Sequence, residues 1–145
     1  MDFALNDDQR AIQDAARAFA DAELAPNSAK WDEDKHFPVD VMRHAAEMGF
    51  CGIYTGEEQG GMALGRVEAV GIFEELARGD VATAAFISIH NMATWMIDKF
   101  GSDDLRSRFV PSLTTMDKIA SYCLTEPGSG SDAAALRTTA VRDGD

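Results

Sequence analysis

Residues that start and stop helices divide the first 118 residues of this chain into a series of apolar-periodic segments. Asn6, with Gln9 three residues later, forms the pattern of a capping box, and Pro26 ends the first segment because the residue before a proline avoids the α region. The pattern predicts five helices, over residues 6–25, 38–48, 64–77, 81–100 and 103–110. We therefore predict a mainly α fold, with an all-helical domain over residues 1–118.

The stretches between these helices are predicted to be connections. Residues 27–37 are polar, and residues 52–65 are rich in glycine, which predicts a loop with a tight turn at Gly60-Gly61. Pro111 is expected to end or bend the fifth helix, with a further short turn of helix after it.

The spacing of apolar residues predicts which faces are buried. In the third helix, the inward positions are expected to be Val67, Val70, Phe73 or Gly71, Leu76 and Ala77. The fourth helix is apolar almost all round, which is typical of a helix buried on most sides. His90 in this helix is expected to be a buried, hydrogen-bonded histidine, whereas a pocket-facing role and an internal polar contact both stay open for Asn91.

Acidic side chains outnumber basic ones by 25 to 13, which gives a formal net charge of −12. Nucleic acids and anionic membrane surfaces are bound by clustered Lys and Arg, so the composition argues against both partners. The longest uncharged run, residues 81–97, contains several polar side chains and predicts a helix buried within protein, not a membrane span. The amino-terminal sequence lacks a targeting pattern, so we expect a bacterial-type cytoplasmic protein, or a mitochondrial matrix protein if eukaryotic and processed.

The two cysteines, Cys51 and Cys123, have neither a disulfide framework nor metal-ligand spacing. Both lie in apolar surroundings, so we predict two buried free thiols and no metal site.

The character of the sequence changes after Lys118. The run from Ile119 to Thr125 predicts a strand, and Thr138 to Arg142 is a candidate for a second. Asp143-Gly144 is a hairpin-type turn signal. We therefore predict that residues 119–145 begin a β domain and that the chain stops at the turn of its first hairpin.

Between these two predicted strands lies a loop, residues 126–132, rich in glycine and hydroxyl side chains. Gly128 and Gly130 let the backbone approach a ligand closely, and neighbouring hydroxyls add hydrogen-bonding groups. The order matches neither a Walker phosphate loop nor a Rossmann fingerprint. By chemistry alone, both a flexible surface turn and a loop that binds a phosphate or the polar edge of a heteroaromatic ring stay open.

The run from Leu124 to Asp132, Leu-Thr-Glu-Pro-Gly-Ser-Gly-Ser-Asp, resembles the first signature of the acyl-CoA dehydrogenase family. The similarity extends upstream to residues 5–10, 48–50 and 60–61, which resemble the opening helix and the glycine-bearing loop of the family. Residues 88–92, 95–97 and 100–101 are most similar to the members that act on isobutyryl-CoA in valine degradation.

This resemblance implies a fold, a cofactor and a reaction. Family members have an N-terminal helical domain, a middle β domain and a C-terminal four-helix bundle, so the chain would be the first domain and the first strands of the second. FAD would lie between the last two domains. The enzymes remove an α-hydrogen of acyl-CoA as a proton and a β-hydrogen as a hydride to the flavin, and electrons leave to electron-transferring flavoprotein. The intact enzyme is expected to be a homotetramer.

The resemblance also assigns roles to residues. The flavin-lining positions match Tyr122, Cys123, Leu124, Thr125, Glu126, Pro127, Gly128, Ser129, Gly130 and Ser131. Leu124 and Thr125 match positions beside the isoalloxazine ring, whereas Gly130 and Ser131 match positions near the pyrophosphate, and Ser131 also matches an acyl-CoA contact. The family's catalytic base is a glutamate in the C-terminal bundle, so no residue here, including Glu126, is expected to be catalytic, and the isolated chain should be inactive.

Two other functions stay open. A related acyl-CoA oxidase would share the fold and the loop, and a non-catalytic helical module would use the fold for assembly or partner binding. The intact loop favours an enzyme, because a bare scaffold has no need for that order of glycines and hydroxyls.

Overall fold

The computed structural model describes residues 4–144; the first three residues of the predicted helical domain, and Asp145 of the predicted β domain, lie outside this range. Six α-helices form the described part: α1 Asp7–Phe19, α2 Ser28–Asp34, α3 Val39–Glu47, α4 Arg66–Gly79, α5 Val81–Phe100 and α6 Asp103–Thr114. A π-helical turn, Ala20–Leu24, extends α1, and two 3-10 turns lie at Glu57–Gln59 and Ala133–Ala135. The predicted mainly α fold is confirmed.

The helices pack around one apolar core. Helix α1 packs on α4, α4 on α5 and α5 on α6. Burying a large aliphatic or aromatic side chain stabilises a fold by about 1.5–3 kcal/mol, so this core is the main source of stability. The largest fully buried apolar side chains are Leu24, Met42, Phe50, Ile53, Ile72, Leu76, Ile87, Val110 and Met116. No helix in the described range has the length and apolarity that a membrane span requires.

The predicted helix caps are confirmed. The Asn6 side chain accepts a hydrogen bond from the Gln9 N–H at 2.8 Å, and the Gln9 side chain accepts one from the Asn6 N–H at 3.1 Å, which completes a capping box. Asp80 caps α5 through the Thr83 N–H at 2.7 Å, and Ser102 caps α6. These caps fix where each helix begins because they satisfy N–H groups that lack helical partners.

One predicted connection and one predicted helix end are wrong. Residues 28–34 form α2, not a connection; the apolar periodicity is weak because no residue of α2 is buried, and only Trp31 packs partly against the core. Helix α6 continues through Pro111 to Thr114. Val110 and Leu113 are buried on either side of the proline, so packing on α5 outweighs the single missing N–H.

Several predictions of burial are also wrong. Val67 and Val70 of α4 are 62% and 58% exposed, because α4 turns a different face, with Ala69 and Ile72, towards the core. Helix α5 is buried along one face only, and its Phe100 is 73% exposed. Cys51 is buried, which raises the pKa of its thiol to about 12, whereas Cys123 is exposed on an extended segment.

The two predicted strands are absent from the described range, which contains no sheet. Its single β-bridge joins Glu126 and Ser129. A strand is defined by a hydrogen-bonded neighbour, and residues 119–125 have no such neighbour among residues 4–144. Gly144 does take the left-handed conformation that the predicted Asp143-Gly144 turn requires, with φ of 91°.

A network of charges ties α1 to α4. The Glu75 carboxylate, almost buried, accepts hydrogen bonds from Arg17 at 2.6 Å and 3.1 Å and from Arg78 at 3.1 Å. Arg78 also donates to Asp21 at 2.7 Å. The hydrogen bond from Arg17, followed by that from Arg78, holds the pKa of Glu75 below its ordinary value.

We expect this network to make the helical domain less stable in acid. Because the pKa of Glu75 is lowered in the native state, its contribution is complete at neutral pH and is lost as the pH falls below about 4.3, the ordinary value for glutamate. The measurement is the free energy of unfolding between neutral and acid pH. Glu75→Gln should flatten this dependence, whereas the exposed neighbour Glu74→Gln should leave it unchanged; equal profiles for both variants would rule out the assignment.

Candidate functional site

The glycine-rich loop is reached by an extended segment that leaves the end of α6. Met116 is buried, and the Lys118 N–H donates to the Ser112 carbonyl at 2.8 Å, which turns the chain away from the helix. Two residues later the Ala120 N–H donates to Nδ1 of His90, in the middle of α5, at 3.1 Å. The segment therefore starts from a fixed point on the helical domain.

From residue 119 to residue 125 the exposure of the side chains alternates. Ala120, Tyr122 and Leu124 are half-buried, whereas the residues between them, including Cys123 and Thr125, are exposed. This two-residue period is that of an extended strand with one covered face. The Thr125 hydroxyl is thus available on the open face.

A tight turn follows at Glu126-Pro127-Gly128-Ser129. The Ser129 N–H donates to the Glu126 carbonyl at 3.1 Å, and the Glu126 N–H donates to the Ser129 carbonyl at 2.9 Å. Proline suits the second position of such a turn because its φ is already set. The Ser129 side chain is 5% exposed and donates to the Asp132 carbonyl at 2.5 Å, so this hydroxyl holds the loop together and is not free for a ligand.

The Glu126 carboxylate joins the turn to the chain eleven residues later. One oxygen accepts from the Arg137 N–H at 2.9 Å, and the other accepts from the Thr138 N–H at 2.7 Å and from the Thr138 hydroxyl. The hydroxyl, followed by the two backbone donors, holds the pKa of Glu126 below its ordinary value. A carboxylate with both oxygens occupied is a poor proton acceptor, which agrees with the expectation that Glu126 is not the catalytic base.

Open space surrounds the two glycines of the loop. A Cβ added to Gly128 or Gly130 would meet no atom within 4 Å, and neither residue has a positive φ. Within the described residues, neither the turn nor local packing requires glycine at these two positions. The exposed hydroxyls of Thr125 and Ser131 lie in the same loop region. A shallow cavity of about 330 Å³ is lined by Glu126, Pro127, Gly128, Ala135 and Arg137.

These features fit the group that the loop pattern implies, a flavin with its phosphates. Accessible backbone at glycine allows close approach of an anion, and exposed hydroxyls offer donors to a polar ring. Of the ten predicted flavin-lining residues, nine are partly or fully exposed, and Ser129 is buried within the loop. The ten residues are consecutive in the sequence and form one largely accessible segment.

A larger cavity, of about 720 Å³, lies elsewhere. It opens between α2, α3 and the start of α5, and its lining includes Trp31, His36 and Asp80. None of the predicted flavin-lining residues contacts it, so we do not place the site there.

Two polar residues of α5 have clear structural roles. Asn91 is 1% exposed; its side chain accepts from the Ile53 N–H at 2.7 Å and donates to the Phe50 and Ile87 carbonyls at 2.7 Å and 2.9 Å. Of the two interpretations left open for Asn91, a pocket-facing role and an internal polar contact, the structure supports the internal polar contact. His90 is buried and hydrogen-bonded, as predicted, although its bond to Ala120 could not be foreseen from the sequence.

The chain is similar to known proteins over most of its length. The model of the family described as acyl-CoA dehydrogenase, N-terminal domain, matches residues 6–117. The chain is 55% identical over 141 residues to the mitochondrial isobutyryl-CoA dehydrogenase of Dictyostelium discoideum, and 53% identical over 141 residues to that of Bos taurus. Each alignment covers 97% of this chain and 34% of the relative, so the chain spans about a third of the length of these curated proteins.

Solved structures show the same fold. A structure described as electron transferring flavoprotein of Acidaminococcus fermentans is 34% identical, with a TM-score of 0.89, and the match covers 100% of this chain and 38% of that one. An acyl-CoA dehydrogenase complexed with FAD from Bacillus anthracis is 29% identical, with a TM-score of 0.80, and the match covers 91% of this chain and 23% of that one.

Proposed function

Because this chain belongs to the acyl-CoA dehydrogenase family, we propose that it is the N-terminal part of an FAD-dependent enzyme that desaturates acyl-CoA between its α and β carbons. The observation that carries this proposal is the loop from Leu124 to Asp132. It combines the family's residue order with open space at its glycines and exposed hydroxyls at Thr125 and Ser131. In this proposal residues 1–118 form the helical domain and residues 119–145 begin the β domain.

The ten residues from Tyr122 to Ser131 are proposed to form one wall of the flavin site. Backbone around Gly130 would approach the pyrophosphate, and Thr125 would donate towards the flavin ring, because donors near a ring that accepts negative charge stabilise its reduced form. When bound, FAD supplies the hydride acceptor. Ser131 is proposed to contact the acyl-CoA as well. Glu126 holds the loop closed through Arg137 and Thr138 and abstracts no proton.

The proposed substrate is a short, branched acyl-CoA of the isobutyryl type. This rests on the 55% and 53% identity to two proteins named isobutyryl-CoA dehydrogenase. Electron-transferring flavoprotein is the proposed electron acceptor, and the intact enzyme is proposed to be a homotetramer. Both named relatives are mitochondrial, which supports the matrix if the source is eukaryotic; for a bacterial source we propose the cytoplasm.

We expect Gly130→Val to reduce the flavin content of the full-length protein by about ten-fold or more while leaving its thermal stability unchanged. A Cβ added here meets no atom within 4 Å, so the branched side chain would project into the open space proposed for the cofactor. The measurement is the ratio of visible flavin absorbance to protein absorbance in purified protein, together with a thermal melt of the apoprotein.

Ala134→Val, at an exposed position of the same loop region, is the matched control and should retain wild-type flavin content. Normal flavin content in Gly130→Val would remove this residue from the proposed site. An equal loss of flavin content in both variants would show that any added bulk in this region disturbs the loop, and Gly130 would then have no specific role.

A further inference from the structure

His90 joins three separate parts of the chain through the two nitrogens of its ring. It is fully buried in α5; Nε2 lies 2.9 Å from the Leu113 carbonyl near the end of α6, and Nδ1 lies 3.1 Å from the backbone nitrogen of Ala120. A carbonyl only accepts and a backbone N–H only donates. The ring must therefore carry its proton on Nε2 and accept at Nδ1, which is a neutral histidine with one defined tautomer.

The hydrogen bond between His90 and Ala120 lies at the start of the segment that leads into the glycine-rich loop. Residues 119–125 lead directly into the glycine-rich loop, and within residues 4–144 the Ala120 N–H is the single hydrogen-bonding contact that holds this stretch to the helical domain. An extended chain advances about 3.3 Å per residue, so a shift at Ala120 is carried forward to Thr125 and the turn beyond it. The ring cannot move to follow such a shift, because Nε2 is anchored on α6 and its plane is stacked near Phe86.

We propose that His90 is a positioning residue, which sets the location of the flavin loop by accepting the Ala120 N–H at Nδ1. Its effect on the cofactor rests on the proposed function, whereas its effect on Ala120 does not. His90 would not touch FAD or substrate. It would act through the extended segment, and the role depends on the acceptor at Nδ1 and not on the size of the ring.

Two substitutions distinguish the roles of the two ring nitrogens of His90. In His90→Asn, the amide oxygen lies close to the place of Nδ1 and can still accept from Ala120, whereas in His90→Gln the longer side chain can reach Leu113 and leaves Ala120 without an acceptor. Asparagine leaves the larger cavity. If His90 only fills space, His90→Asn should be the more damaging variant; the proposal predicts the opposite order.

The experiment uses the full-length protein with two readouts. Hydrogen exchange of the peptide that contains Ala120 should be about ten-fold faster in His90→Gln than in wild type, as expected for the loss of one hydrogen bond, and close to wild type in His90→Asn. The dissociation constant for FAD should follow the same order, with an increase of about ten-fold in His90→Gln. Equal effects of the two variants, or a larger effect of asparagine, would overturn the proposal.

A second pair of variants leaves the buried ring untouched, in case His90→Gln does not fold. Ala120→Pro removes the N–H that His90 accepts, whereas Ser121→Pro removes an N–H that has no partner in the described range. We expect weaker FAD binding in Ala120→Pro than in Ser121→Pro, and equal binding would refute the role of His90. A wild-type protein that holds no flavin would instead overturn the proposed function, while hydrogen exchange at Ala120 would still test His90.

Discussion

Replacing Asn91 by leucine is expected to lower the free energy of unfolding of the helical domain by about 3–5 kcal/mol. The Asn91 amide satisfies the Ile53 N–H and the Phe50 carbonyl, both in the buried stretch that follows α3. Leucine fills a similar volume but leaves both backbone groups without a partner, and each unsatisfied buried group costs about 1–3 kcal/mol. The loss would be read from chemical denaturation followed by circular dichroism.

Met92→Leu is the matched control for this prediction. Met92 is the next residue of α5 and is half-buried, and an exchange of two apolar side chains of similar volume usually costs less than about 1.5 kcal/mol. If Asn91→Leu were no more destabilising than Met92→Leu, the three hydrogen bonds of Asn91 would not be needed to hold the loop after α3 on α5.

Replacing Gly61 by alanine is expected to destabilise the domain by about 3 kcal/mol, the upper end of the usual cost of overpacking. An added Cβ would overlap the backbone carbonyl of Thr55, with the carbonyl carbon 2.5 Å away. That carbonyl cannot easily move, because it accepts the Ala63 N–H at 2.8 Å and Thr55 is buried. The relevant measurement is again the midpoint of denaturation.

Gly128→Ala provides the comparison, since a Cβ at Gly128 meets no atom within 4 Å and its φ is not positive. It should change the free energy of unfolding by less than about 0.5 kcal/mol, as is usual for surface positions. Similar losses in the two variants would show that glycine is needed for chain flexibility at both positions and not for the close approach at Gly61.

Local chemistry made part of this fold predictable. Helix α5 begins after Asp80 and ends before Gly101, as expected, because a cap and a stop signal act on the neighbouring backbone alone. Helix α2 was missed, since it buries no residue and so shows little apolar periodicity. The buried face of α4 was misjudged at Val67 and Val70 because the position of a helix on its neighbours depends on contacts such as Glu75 with Arg17, 58 residues apart.

The candidate site was also only partly predictable from the sequence. The residue order from Leu124 to Asp132 predicted which segment would carry the chemistry, and the structure adds that Gly128 and Gly130 face open space. The contacts that position this segment, His90 with Ala120 and Glu126 with Thr138, join residues 30 and 12 positions apart. No local pattern encodes such pairs, so only the folded chain reveals them.

Whether residues 122–131 form one wall of a flavin site is best measured by the visible absorbance spectrum of the full-length protein. We predict that the purified protein carries oxidised flavin, about one per chain, and that an acyl-CoA of the isobutyryl type bleaches it. A full-length protein that folds but neither retains nor rebinds FAD would show that residues 122–131 do not form part of a flavin site.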